Sequence, residues 1–214
     1  MAVSKTHPAT AIVEAIEAGV TLFGENRVQE FERKSAELVA QDTDIRAGND
    51  EDGIEVHLIG HLQSNKAAKA AQIFSAVDTV DSLRLAERLN DAVSQQGSTL
   101  PVLLELKLSA EDAKTGLDPD GAELRDILTR APEFTNLRIR GLMTVPPFDN
   151  NPETTRGCFR RLRELRDKLA QANPKLDLFE LSMGMSGDFE IGIEEGSTLI
   201  RIGTSLFGAR EARV

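Results

Sequence analysis

The sequence predicts an α/β fold, a closed (β/α)8 barrel of the TIM type. Three observations carry that prediction. Eight apolar, strand-like runs alternate with helical patterns along the chain, as parallel β/α units do. Eight such units fit into 214 residues, which favours a closed barrel over an open doubly wound sheet. Small, polar or reactive residues stand just after most of the runs, where a barrel carries its site. Residues 1–214 read as one domain.

The elements follow in order. Met1-Ala2-Val3 is a first strand, cut short by the start of the chain. Pro8 opens a helix with Ile12, Val13 and Ile16 on its apolar face, and Gly19 stops it. V-T-L-F is the second strand, ending at Gly24; a helix from Glu25 buries Val28, Phe31, Leu38 and Val39. Gln41 to Gly53 is a polar, acidic loop. I-E-V-H-L-I-G from Ile54 is the third strand, and S-N-K-A-A-K-A-A-Q-I-F from Ser64 is helical. A-V-D-T-V from Ala76 is the fourth strand; Asp81-Ser82 caps a helix carrying Leu85, Ala86, Leu89 and Val93. P-V-L-L-E-L-K-L from Pro101 is the fifth strand, and Pro119 begins a helix through Leu124, Ile127 and Leu128. L-R-I-R-G-L-M-T-V from Leu137 is the sixth. Pro152 begins a long helix through Phe159, Leu162, Leu165 and Leu169. Its Arg160, Arg161, Arg163 and Arg166 interleave with Glu164 and Asp167 and read as a solvated face. The last two strands are the tail runs L-F-E-L-S-M-G-M from Leu178 and S-T-L-I-R-I from Ser197.

Composition excludes several roles. A net charge of −10 repels duplex nucleic acid and anionic membranes. The single cysteine, Cys158, allows no intrachain disulfide and reads as a buried small hydrophobe. The N-terminus lacks the apolar segment of a signal peptide, and no apolar run approaches spanning length. The expectation is a cytoplasmic protein. Tyr and Trp are both absent.

The tail points to an anion. Ser186-Gly187 closes one run and Gly203-Thr204-Ser205 the next. Such turns present backbone N–H groups and hydroxyls, and two on consecutive strands predict one shared phosphate pocket. The other strand ends offer Lys5, Asn26, His61, Ser109 with Lys114 in its loop, and Thr144. A lysine desolvated in a barrel mouth has a lowered pKa, and its neutral amine attacks aldehydes; the plainer reading of Lys5 is a solvated terminal residue. Asn26 is either a helix-terminal residue or a ligand contact. His57 alternates with apolar neighbours and reads as structural. Arg201 lies inside an apolar run, on the face of Leu199 and Gly203. A buried arginine needs partners, so it is either a structural ion pair or the floor of the anion turn.

Six motifs, A-V-S-K-T, G-E-N-R-V-Q-E, H-L-I-G-H-L-Q-S-N-K, G-L-M-T, L-S-M-G-M-S and G-S-T-L-I-R-I-G-T-S-L-F-G, occur in this order across nearly the whole chain. In them the sequence resembles the pyridoxal phosphate homeostasis proteins. The resemblance implies a barrel similar to the N-terminal domain of alanine racemase, with pyridoxal 5′-phosphate (PLP) at its mouth. It implies Lys5 as the Schiff-base lysine, Asn26 beside the cofactor, Ser186, Gly203 and Thr204 as the phosphate cup, and Arg201 facing the pyridine nitrogen. An arginine only donates, so that nitrogen stays unprotonated and the ring is a weak electron sink.

The resemblance further implies a monomeric carrier that holds PLP as a lysine aldimine and serves vitamin B6 and amino-acid balance, with PLP-dependent apo-enzymes as partners. The alternative is a weak PLP-dependent amino-acid racemase. Barrel racemases use a tyrosine from a second domain on the cofactor's other face, and this chain has no tyrosine. That moves the expectation from enzyme to carrier. The family pattern also places a helix and more strand residues before A-V-S-K, which predicts core left exposed near Lys5. His7 stands in place of a second lysine, Val56 in place of a tryptophan and Lys107 in place of an asparagine.

Overall fold

The computed structural model describes residues 1–40, 53–108, 115–147, 149 and 151–209. Eight parallel strands follow one another in chain order: β1 (Ala2–Val3), β2 (Leu22–Glu25), β3 (Glu55–Leu58), β4 (Ala76–Val80), β5 (Leu100–Glu105), β6 (Leu137–Met143), β7 (Glu180–Met185) and β8 (Leu199–Arg201). A parallel bridge between Ala2 and Ile202 brings the last strand back to the first. There Val3 N donates to Ile202 O at 2.8 Å, and Ile202 N to Met1 O at 3.0 Å. The (β/α)8 barrel expected from the sequence is the fold observed.

Helices α1 (Ala9–Glu17), α2 (Val28–Val39), α3 (Ala67–Ile73), α4 (Leu83–Ser94), α5 (Ala122–Arg130), α6 (Pro152–Ala172), α7 (Phe189–Glu194) and α8 (Thr204–Phe207) connect and cover the strands. Local chemistry sets their starts. Ser82 Oγ accepts from Leu85 N at the head of α4, and the Asn151 side chain accepts from Glu153 N ahead of Pro152 in the first turn of α6. The core lies between sheet and helices, built around Phe23, Phe31, Phe74 and Phe159. Phe31 and Phe74 meet at 5.0 Å between ring centroids, joining α2 to the end of α3. Cys158 is buried in α6, as expected. Among the described residues no helix is long and apolar enough to cross a membrane.

Several boundaries differ from the sequence reading. Strand β2 keeps Glu25, because the Glu25 carbonyl accepts Ile59 N at 2.9 Å, and the helix begins only at Val28. Val39 is exposed: one residue past Leu38 turns it about 100° off the buried stripe. Asp118–Gly121 forms a turn, with Gly121 N on Asp118 O at 3.0 Å, so α5 starts at Ala122. Ser64–Lys66 is a 3-10 turn ahead of α3.

The arginine face of α6 is a docking surface. Arg156, Arg160 and Arg163 converge on Glu195 at 3.3, 2.9 and 3.1 Å, and Arg166 reaches Phe179 O at 2.6 Å. Glu195 is buried, and its arginine partners, Arg160 first, hold its carboxyl below the usual range.

The start of the chain also differs. Ala2, Val3 and Ser4 are buried, and the Met1 ammonium donates to Ile200 O at 3.2 Å. Pairing with β2 on one side and Ile202 on the other covers the core beside Lys5. Ser109, Lys114 and all of the Gln41–Gly53 loop except Gly53 lie outside the described residues.

Candidate functional site

Strand alternation decides what faces the barrel axis. Ser4 turns outward, because its Oγ donates to Glu25 Oε1 at 2.7 Å against α2. Val3 and Lys5 therefore share the inner face. The next strand agrees: a Cβ built at Gly24 would lie 2.7 Å from Met1 Sδ and 3.0 Å from Ile59 Cδ1 inside the barrel. Lys5 thus follows β1 at the mouth, half-buried.

The two tail turns form one structure. Ser186 Oγ accepts Gly203 N at 3.1 Å and Ser205 N at 3.4 Å. A Cβ at Gly203 would meet Val3 O at 3.5 Å, so this turn leans on β1, two residues before Lys5. His7 packs on Phe207 at 5.2 Å between centroids, tying the segment after Lys5 to α8. Thr204 is the exposed first residue of α8.

Arg201 is fully enclosed beneath this turn. Its Nη1 donates to Ser182 Oγ at 2.7 Å and its Nη2 to Thr144 O at 2.8 Å. Burial pulls its pKa down, against Asp78, Asp188 and Glu105. It remains a cation with N–H donors beyond these two bonds. Asn26 follows β2, half-buried, and is seated on Gly60: a Cβ at Gly60 would lie 2.7 Å from Asn26 Cγ and closer still to its carbonyl oxygen.

The six candidate residues therefore gather on four consecutive strands, β7, β8, β1 and β2. Lys5, Ser186, Gly203, Thr204 and Arg201 surround one corner of the mouth, with Asn26 on its flank. His57, read as structural, lies deeper, with Nδ1 3.1 Å from Asp78 Oδ1 and Nε2 3.4 Å from Glu55 Oε2. Burial opposes its charge, but Asp78 and Glu55 prevail and push its pKa up to about 10. His61, at the end of β3, pairs with Asp81 at 2.9 Å.

Sequence reasoning missed two sets of residues. Ser182 holds Arg201 together with the carbonyl of Thr144, a residue the strand ends had offered without that role; the signal for Ser182 was its place on the inner face of the neighbouring strand. Glu25, Glu30 and Lys34 form a buried charged group behind β1, with Lys34 Nζ 2.7 Å from Glu25 and 3.1 Å from Glu30. Their signal was Lys34 falling between Phe31 and Leu38 on the apolar face of α2.

Fold and site together define a class: a (β/α)8 barrel whose first strand leads into a lysine, with the turn that closes its eighth leaning on that strand. The chain belongs to the alanine racemase N-terminal domain family, whose model matches residues 1–211, and to the pyridoxal phosphate homeostasis proteins within it. The pyridoxal phosphate homeostasis protein of Vibrio alginolyticus is 42% identical over 212 residues, 99% of this chain and 86% of the relative. That of Aquifex aeolicus is 40% identical, over 97% of this chain and 85% of the relative. The structure of Synechococcus elongatus PipY with PLP bound matches with a TM-score of 0.86 and 43% identity, over 97% of this chain and 91% of that one. Alanine racemase from Clostridium difficile shares the fold, with a TM-score of 0.71 and 16% identity over 52% of its own length.

Proposed function

We propose that this chain binds PLP through Lys5 and serves its intracellular supply. The observation that carries this reading is the Ser186–Gly203 turn, above an enclosed Arg201, leaning on Val3 two residues before Lys5. The donor set fits the ligand. Backbone N–H groups and hydroxyls suit a phosphate, a lysine at a barrel mouth suits an aldehyde, and a pinned guanidinium suits an aromatic nitrogen. PLP supplies an aldehyde that condenses with a primary amine, releasing water.

The chain's own groups then divide the work. Gly203 N is held by Ser186 Oγ and so shapes the turn; the Thr204 amide and the Thr204 and Ser186 hydroxyls receive the phosphate. Arg201 donates to the pyridine nitrogen, held by Ser182 and Thr144 so that it need not reorganise. Asn26 borders the ring from β2. Lys5 holds the aldehyde carbon. We read residues 1–214 as one PLP-binding domain, acting as a cytoplasmic monomer that supplies PLP-dependent apo-enzymes.

The test is to load wild type and Lys5→Ala with PLP and reduce each with borohydride. Wild type should show the visible absorbance of lysine-linked PLP and a reduced adduct mapped to Lys5 by mass spectrometry. Lys5→Ala should show neither. An unchanged spectrum in that variant would sink the assignment. Sustained deuterium incorporation at Cα of single-enantiomer amino acids in deuterated water would replace the carrier reading with a racemase.

A further inference from the structure

The chain that presents Lys5 adopts an unusual turn. His7 N donates to Ser4 O at 3.1 Å, closing a four-residue turn with Lys5 second and Thr6 third. Thr6 has φ 69°, and among the described residues it is the one non-glycine residue at positive φ. A turn with positive φ at its third position is type II in character and ordinarily takes glycine there. A β-branched residue is strained in that region, so something must hold it.

The buried group behind β1 supplies the hold. Thr6 N donates to Glu30 Oε1 at 2.5 Å, reaching across to α2. Lys34 Nζ donates to Ser4 O at 2.9 Å, on the same carbonyl that closes the turn. Lys34 also binds both carboxylates, and Ser4 Oγ completes the contact to Glu25. Glu25, Glu30 and Lys34 are all buried. Burial pushes the Glu25 pKa up, against the pull of Lys34 and Ser4. The turn is thus held from outside the barrel at Ser4 O and Thr6 N, on either side of Lys5.

We propose that Glu30, with Lys34, is a positioning residue for Lys5: the α2 charges hold the Ser4–His7 turn at a backbone geometry that threonine alone would leave, and so aim the lysine at the barrel mouth. The proposal rests on the reading of Lys5 as the PLP-linking residue. It assigns α2 a part in cofactor binding although these side chains stand behind the strand.

The test pairs Glu30→Ala with Thr6→Gly. Glu30→Ala removes the acceptor on the Thr6 amide; Thr6→Gly removes the strain that makes the acceptor necessary. Relaxation of a non-glycine residue from the left-handed region corresponds to roughly a tenfold shift in population. Glu30→Ala should therefore weaken PLP binding about tenfold, and Glu30→Ala/Thr6→Gly should recover it to within about threefold. Lost packing alone would not be rescued by removing a further side chain. A readout without cofactor accompanies this: hydrogen exchange at the Thr6 amide should be protected in the unloaded wild type and fast in Glu30→Ala. Wild-type affinity in Glu30→Ala, or failure of Thr6→Gly to rescue, overturns the brace while wild type still links PLP through Lys5. If wild type fails to link PLP at Lys5, the functional reading fails instead, and the amide protection still judges the turn.

Discussion

Gly60→Ala is the sharpest steric probe of the mouth. The new Cβ would stand 2.7 Å from Asn26 Cγ, while ordinary contact begins near 3.4 Å, and the Asn26 carbonyl oxygen is closer still. The Asn26 side chain must retreat by about 0.7 Å, and its backbone by more. Backbone has no rotamer in which to escape, so the end of β2 shifts away from the ring position. Overpacking of this kind costs about 1–3 kcal/mol. The expected result is a lowered melting temperature together with about tenfold weaker PLP binding, equivalent to about 1.4 kcal/mol. Gly187→Ala is the control: a Cβ there meets nothing within 4 Å, so melting should not change. Thermal unfolding and PLP titration on the two variants decide. Wild-type affinity and melting in Gly60→Ala would refute the close seat of Asn26 on Gly60 and its place beside the cofactor.

Three more predictions follow from the site and its supports. Ser186→Ala removes the acceptor shared by Gly203 N and Ser205 N; PLP affinity should fall about fivefold to tenfold with little change in melting, since these amides are within reach of water, and a titration checks it. His57 is held up to about 10, above the ordinary value near 6.5, so its stabilisation is complete below about pH 6.5 and is lost as pH rises toward 10. Denaturant titrations across that window should show stability falling with pH by up to about 1.4 kcal/mol per unit, and His57→Gln should flatten the slope. The Glu195 carboxyl is depressed by Arg160 and its neighbours, so its contribution is present above about pH 4.5 and lost as pH falls through the folded-state value. Glu195→Gln should cost near 1 kcal/mol at neutral pH, because the arginines are partly solvated, and should make stability less sensitive to acid.

Much of this was legible because it depends on local periodicity. Apolar alternation located all eight strands, and the hydroxyl- and glycine-rich ends of the last two marked the turns that Ser186 joins. Residues that act through their own backbone, as Gly203 does toward Ser186, announce themselves by type. The rest was hidden by distance in sequence. Arg160 and Arg163 look solvated until α7 brings Glu195, more than thirty residues on, against them. Asn26 keeps its position at the end of β2 only because Gly60, just past β3, leaves room for it. Lys34 is a different case: it falls on the apolar stripe of α2 between Phe31 and Leu38, and a lysine there requires buried partners.

The barrel interior explains why Arg201 can serve as a fixed donor. TIM-type interiors are usually filled with branched apolar side chains, but this one carries a column of charge. Arg140 pairs with Glu180 at 2.7 Å, with Glu55 nearby on the inner face of β3. His57 and Asp78 stand above them, and Arg201 is attracted in turn to Asp78. Each cation in this column has a carboxylate within electrostatic reach, which is what permits a guanidinium to stay charged in a site closed to water. Remove Asp78, and two cations lose a shared counter-charge at once. The same arithmetic bears on chemistry. Arg201 is placed to donate and cannot accept, His57 is locked as a cation beneath it, and neither can take a proton from a bound ligand at neutral pH. On the proposed reading, such an arrangement fixes an aldehyde at Lys5 and a ring nitrogen at a guanidinium already pinned by Ser182 and Thr144.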